Sequence, residues 1–201
     1  MFQAASEAAN RVWYVTYPNR TGADFRGLDE WARGHLLRLG HEKYQALWLG
    51  SEYQLYTARF PILDALPEGV EPRTLTWPGD GLRLAGVSPV EIAPARDAAQ
   101  LKLYWQLDRP APRNYDFTLR LVDRTGAEWG LLIGTAFDNW SAKKWPAGPL
   151  IQHSARLELP RGLPPGEYAV LISVTDHQQG GLIPLSDGSR EVEIATVKVG
   201  P

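Results

Sequence analysis

The sequence predicts a mainly β protein: an Ig-like or jelly-roll-like antiparallel β-sandwich preceded by a small α/β (helix-strand-helix-hairpin) unit. Three observations predict it. From about residue 73 onward, short runs alternate apolar and polar residues, the period of a strand with one buried face. Turn residues separate those runs at roughly ten-residue spacing, as in two packed antiparallel sheets. Composition agrees, because 16 Pro and 19 Gly mark many turns, and eight Trp with eight Tyr suit strands and a bulky core.

The first element is FQAASEAAN, rich in helix formers. RVWYVTY (Arg11–Tyr17) follows as a β-branched and aromatic strand closed by Pro18. Asp24 is placed to cap a helix running to about Leu39, whose Phe25, Leu28, Trp31, Ala32, Leu36 and Leu39 form one apolar face. Gly40 stands where a helix C′ residue belongs. YQALWLG and SEYQLYTARF then read as a hairpin turning at Gly50-Ser51. Together residues 1–65 make the α/β unit, and the Pro-rich stretch at 66–72 serves as connector.

The sandwich spans 73–201 and holds eight or nine strands. GLRLAGVSPVEI opens it after the turn Trp77-Pro78-Gly79-Asp80. LKLYWQL alternates Leu101, Leu103, Trp105 and Leu107 against Lys102, Tyr104 and Gln106. YDFTLRLVD puts Phe117, Leu119 and Leu121 on one face and turns at Asp123–Gly126 into AEWGLLIGT. SARLEL, EYAVLISVTD after Pro164-Pro165-Gly166, and EVEIATVKV complete the set. Trp13, Trp31, Trp48 and Trp105 lie on periodic apolar faces and are predicted core.

Composition also excludes functions. Cysteine is absent, which removes thiol catalysis, disulfides and thiolate-held metal. A net charge of −2, balanced along the chain, argues against a nucleic-acid or acidic-membrane surface. Neither a signal peptide nor an apolar run near the ~18 residues of a membrane span is expected from this sequence. The four His residues (35, 41, 153, 177) sit in no nucleophile elbow and no zinc-type spacing. Asp176-His177 could donate two metal ligands, but reads first as a polar strand end. Gly79-Asp80-Gly81 lacks the Lys of a phosphate loop. No catalytic residue, metal or cofactor is therefore assigned. Asn19-Arg20-Thr21 and Asn139-Trp140-Ser141 match the glycosylation pattern at chance frequency.

The most informative stretch is Ala136–Gly148, AFDNWSAKKWPAG. Phe137, Trp140 and Trp145 could stack on the apolar face of a sugar while Asp138 and Asn139 bond its hydroxyls, the mixed lining of a small-ligand site. The competing reading is that these rings fold back and cap the open edge of the sandwich.

An ordered set of matches goes further. LKLYWQL, TLRLVDRTG, KKWPAG, LELPRGLPPGEYAVLISVTD, LIPLSDG and TVKV occur in that order, with RVWYVTYP and LYTARF upstream. The set resembles the C-terminal β-sandwich of bacterial multi-span membrane glycosyltransferases of the protein mannosyltransferase type. Three positions depart from that pattern: Trp145-Pro146-Ala147-Gly148 for W-x-P-G, Thr175-Asp176 for Tyr-Asp, and His153 near a usually acidic position. The resemblance implies an extracytoplasmic, non-catalytic accessory domain tethered through a parent protein, whose catalytic carboxylate lies in a membrane loop outside this chain. Its expected partners are a glycan or glycolipid, or the membrane-embedded portion of that parent. The alternative is a structural or protein-interaction module of the cell envelope, with both loop indoles buried and an apolar patch or strand edge exposed elsewhere.

Overall fold

The computed structural model describes residues 11–16, 37–46, 49–57, 61–93, 97–136, 140–160 and 163–200. The chain divides into two compact units: Met1–Pro61 with Phe137–Trp140, and Ile62–Ala136 with Ser141–Pro201.

The described part of the first unit is a three-stranded antiparallel sheet, not an α/β unit. Its strands are β1 (Arg11–Thr16), β2 (Leu37–Ala46) and β3 (Leu49–Thr57), in the order β1-β3-β2. The predicted strand at Arg11 is present. The predicted first helix and most of the second fall outside the described residues, and Leu37–Leu39, assigned to the second helix, are strand. There the ladder with β3 overrides the helical spacing: Leu37 pairs Thr57 and Arg38 pairs Tyr56. Gly40 ends no helix; the register slips between Arg38 and Gly40, a bulge of the kind glycine tolerates. The hairpin pair exists, but Gly50-Ser51 is not its turn. Ala46 pairs Leu49, so Gly50 and Ser51 lie inside β3 opposite Gln45 and Tyr44. Trp13, Trp31 and Trp48 have side chains outside the described residues.

The second unit is the β-sandwich. One layer has six strands: β4 (Ile62–Leu63), β5 (Glu71–Trp77), β6 (Leu82–Val87), β7 (Glu91–Ile92), β8 (Ala98–Leu107) and β11 (Leu150–Glu158). Their order is β4-β11-β8-β6-β5, with β7 also pairing β8. The other layer is β10-β9-β12-β13, formed by β9 (Tyr115–Asp123), β10 (Glu128–Thr135), β12 (Gly166–Asp176) and β13 (Val192–Val199). Every pairing in both layers is antiparallel. β4 comes from the end of the segment assigned to the α/β unit, and the stretch read as a connector supplies the start of β5. Pro72 is accommodated because β5 is the outermost strand of its sheet and its register with β6 is irregular between Pro72 and Leu75.

Alternation fills the space between the layers. Leu103, Trp105 and Leu107 of β8 face Phe117, Leu119 and Leu121 of β9 with Val170, Ile172 and Val174 of β12, all buried. Trp105 anchors this interior: its ring stacks on Phe117 with centroids 4.3 Å apart, and Trp77 lies 5.8 Å away. Two predicted turns are visible in detail. Asp123 Oδ1 accepts from the Thr125 and Ala127 amides and the Thr125 hydroxyl, and Oδ2 accepts from Trp129 Nε1. The Thr125 hydroxyl, the Trp129 indole and the backbone amides hold the Asp123 carboxyl at about 2, below its ordinary 3.8. After Pro164-Pro165-Gly166, the buried Tyr168 donates its hydroxyl to the Pro164 carbonyl at 2.7 Å, so the Tyr fills the corner the turn creates.

Gly130 marks where β10 comes closest to the end of β11. A Cβ there would sit 2.9 Å from Leu159 Cδ2 and 3.3 Å from the Glu158 carbonyl oxygen. The backbone oxygen cannot rotate away, so Gly130→Ala is expected to cost about 1–2 kcal/mol of overpacking. Gly134→Ala, with nothing within 4 Å, should stay within about 0.5 kcal/mol of the parent. Urea unfolding of the two variants checks the contrast.

Candidate functional site

The Ala136–Gly148 loop was the predicted ligand site. Phe137, Asp138 and Asn139 lie outside the described residues. Trp140 and Trp145 are buried, at 6% and 4% exposure, so neither presents an open ring face to solvent. At Trp145 the backbone is held locally: Ala142–Lys144 form a single 3-10 turn, closed by Lys144 N donating to the Ser141 carbonyl and Trp145 N donating to the Ala142 carbonyl. The loop's end is fastened to β8, where Gly148 N donates to the Leu107 carbonyl at 2.9 Å and Gln106 Nε2 donates to the Gly148 carbonyl. Gly148 carries φ of 102°, which a glycine supplies without strain. Only the lysines, Lys143 and Lys144, point outward from this turn.

A polar cluster at one end of the sandwich escaped the sequence reading. Arg113, in the β8–β9 connection, reaches two buried carboxylates: its Nε lies 3.1 Å from Asp80 Oδ1, and its Nη1 donates to Asp176 Oδ2 at 2.9 Å. Asp80 follows β5 and Asp176 ends β12, so one guanidinium bridges the two layers. Asp176 Oδ1 also accepts from the Gln178 and Gln179 amides at 2.8 and 3.1 Å. Those amides, and then Arg113, pull the Asp176 carboxyl below its ordinary value. Burial, and then the Asp80 charge, push the neighbouring Tyr115 hydroxyl well above the usual phenol range. Each charge here is spent on joining strands. His177 Nδ1, beside this cluster, meets both oxygens of Asp116 at 3.0 and 3.1 Å on the surface. Among the described residues, no group of three or more His, Cys, Asp or Glu could hold a metal ion.

Large apolar side chains exposed among the described residues lie elsewhere: Ile62 on β4, Leu182 after β12, and two neighbours on β10. β10 is the outermost strand of the four-stranded layer, and its Leu131 and Ile133 are 44% and 63% exposed. Trp129–Ala136 carries no charged residue, although exposed edges are commonly protected by charge or Pro. Sequence reasoning identified this strand but could not assign its faces, because Leu131, Leu132 and Ile133 are apolar in succession.

No protein-family model and no curated protein matches the chain. Among solved structures, a Bacteroides fragilis protein described as a β-galactosidase is similar over 78% of this chain and 24% of its own, with TM-score 0.35 and 12% identity. A β-glucuronidase of Bacteroides uniformis is similar over 88% of this chain and 26% of its own, with TM-score 0.37 and 11% identity. The chain thus spans about a quarter of the length of these structures, both of which are described as glycosidases.

Proposed function

We propose that this chain is a non-catalytic accessory module of an extracytoplasmic protein of the membrane glycosyltransferase type, and that its partner is the membrane-embedded portion of that protein. The ordered motifs from Leu101 to Val199 support the family assignment. One contrast in exposure carries the choice of partner. Trp140 and Trp145, the two predicted stacking rings among the described residues, are buried, whereas Leu131 and Ile133 stand open on an edge strand that carries no charge after Glu128. An apolar strand edge of this kind takes an added strand or a hydrophobic segment of another polypeptide.

Titration with neutral oligosaccharides tests the loop directly. No saturable heat is expected; saturable binding abolished by Trp140→Ala would return the loop to the role of sugar site. A photo-crosslinking residue at position 133, introduced in the cell that makes the protein, is expected to join β10 to a membrane-embedded glycosyltransferase segment. Adducts confined to soluble proteins would sink the assignment of partner.

A further inference from the structure

The six-stranded layer carries a second surface feature, on the face turned away from the interior. Leu66 and Val70 lie over this face at Gly86, where a Cβ would come within 2.7 and 2.8 Å of their side chains. Next to Gly86 on the ladder, Tyr104 is buried although it belongs to the outward-facing set. Further along β8 the ladder is interrupted. β6 ends at Val87, β7 begins at Glu91, and between them Ser88 Oγ accepts from the Lys102 amide at 2.8 Å. Pro89 has no N–H with which to continue the pairing. The gap leaves a depression of about 260 Å³.

Its lining is set by register. Glu91 pairs Gln100 and Arg156 pairs Gln100, so carboxylate, amide and guanidinium form one row across β7, β8 and β11. Lys102 and Ser154 pair in the adjacent row, two residues along each strand. Arg156 is steadied from behind, its Nε donating to Glu158 Oε1 at 2.9 Å with Asp97 Oδ1 3.8 Å from its Nη2. Among the described residues the Glu91 carboxylate and the Lys102 ammonium have no ion pair, and the Gln100 amide and Ser154 hydroxyl have no hydrogen-bond partner.

We infer that this depression binds a single-ring sugar acid, a hexuronate or the terminal residue of an acidic polysaccharide. The groups match that chemistry in kind and number. A carboxylate on the ligand is met by Lys102 and the forward edge of Arg156. The Glu91 carboxylate accepts from two neighbouring hydroxyls, and Gln100 and Ser154 both donate and accept. A simple anion leaves Glu91 repelling it, and a neutral sugar leaves Lys102 unused. The volume is below the ~300–1,000 Å³ usual for drug-sized ligands, which limits the fit to one ring. The site lies on the layer opposite β10 and stands or falls separately from the partner proposed above.

Glucuronate, galacturonate, glucose and acetate are titrated into the full chain while backbone amide chemical shifts are followed. The expected result is saturable movement of the Lys102, Ser154 and Glu91 amides with either uronate. Binding should weaken about tenfold in Lys102→Met and in Glu91→Gln, about tenfold for glucose, and not at all in Trp140→Ala. Both altered side chains are exposed, so the variants keep the fold, and unchanged shifts elsewhere verify that. Equal affinity for glucose and glucuronate, equal shifts with acetate, or no saturation by either uronate would each overturn the inference.

Discussion

Replacing Arg113 by Met is expected to lower stability by about 2–3 kcal/mol at neutral pH, read as a shift in the urea midpoint at constant slope. The argument rests on what is left behind. Asp80 is 1% exposed, and without the guanidinium its charge has no counterion in a site water barely reaches. Breaking such a pair costs about 3–5 kcal/mol when both partners are buried. Arg113 itself is 38% exposed, so solvent already screens part of the attraction and the lower figure is expected. Arg113→Lys should recover little, because one ammonium cannot span Asp80 and Asp176 as two edges of a planar guanidinium do. The double variant Arg113→Met, Asp80→Asn should regain about half the loss, since removing the stranded charge removes its desolvation penalty. A loss below about 0.5 kcal/mol for Arg113→Met, the size of an ordinary surface change, would show that the two layers do not depend on this bridge. Acid should erase the difference. The folded-state pKa of Asp176 is depressed, so its contribution is present above the ordinary value of 3.8 and is lost as pH falls through the lower folded value.

The bridge illustrates what the sequence conceals. Residues 80, 113 and 176 are far apart along the chain, and Asp80 and Asp176 were read as turn and strand-end residues; only the topology makes them neighbours. Period-2 alternation, by contrast, is a local property, and it located β8, β9, β12 and β13 because each buries one face. It failed where strands are short or interrupted by proline. β5 was hidden by Pro72 and by the acids around it, which an outermost strand tolerates. β6 and β7 were read as one run, since Ser88-Pro89-Val90 looks like a strand interior until the pairing shows a break. In the first unit, Gly50-Ser51 resembled a turn, but both residues lie within β3, paired with Gln45 and Tyr44. A Gly-Ser pair suits a two-residue hairpin turn, and local turn chemistry does not reveal that the ladder runs through it. The two loop indoles were a matter of orientation, which residue types do not specify. Here the 3-10 turn accounts for Trp145 folding inward.

His153 makes the second large effect, and its origin is burial. It sits on β11 opposite Leu103, with its ring centroid 5.8 Å from that of Phe117, in the space between the layers. Burial holds its pKa down at about 4, from an ordinary 6.5. The sign follows directly. Between those values the unfolded chain takes up a proton that the folded chain refuses, so stability is complete above pH 6.5 and declines as pH falls toward 4. Roughly 2.5 units at 1.36 kcal/mol each amount to about 3 kcal/mol lost across that window. His153→Leu, close in volume and without the ring nitrogens, should flatten the decline while leaving stability at pH 7.5 within about 1.5 kcal/mol of the parent. The measurement is urea unfolding of both proteins at four pH values from 7.5 to 4.5. If the variant keeps the parent's slope through that range, the protons are taken up elsewhere and the imidazole is not the group that makes this core sensitive to acid.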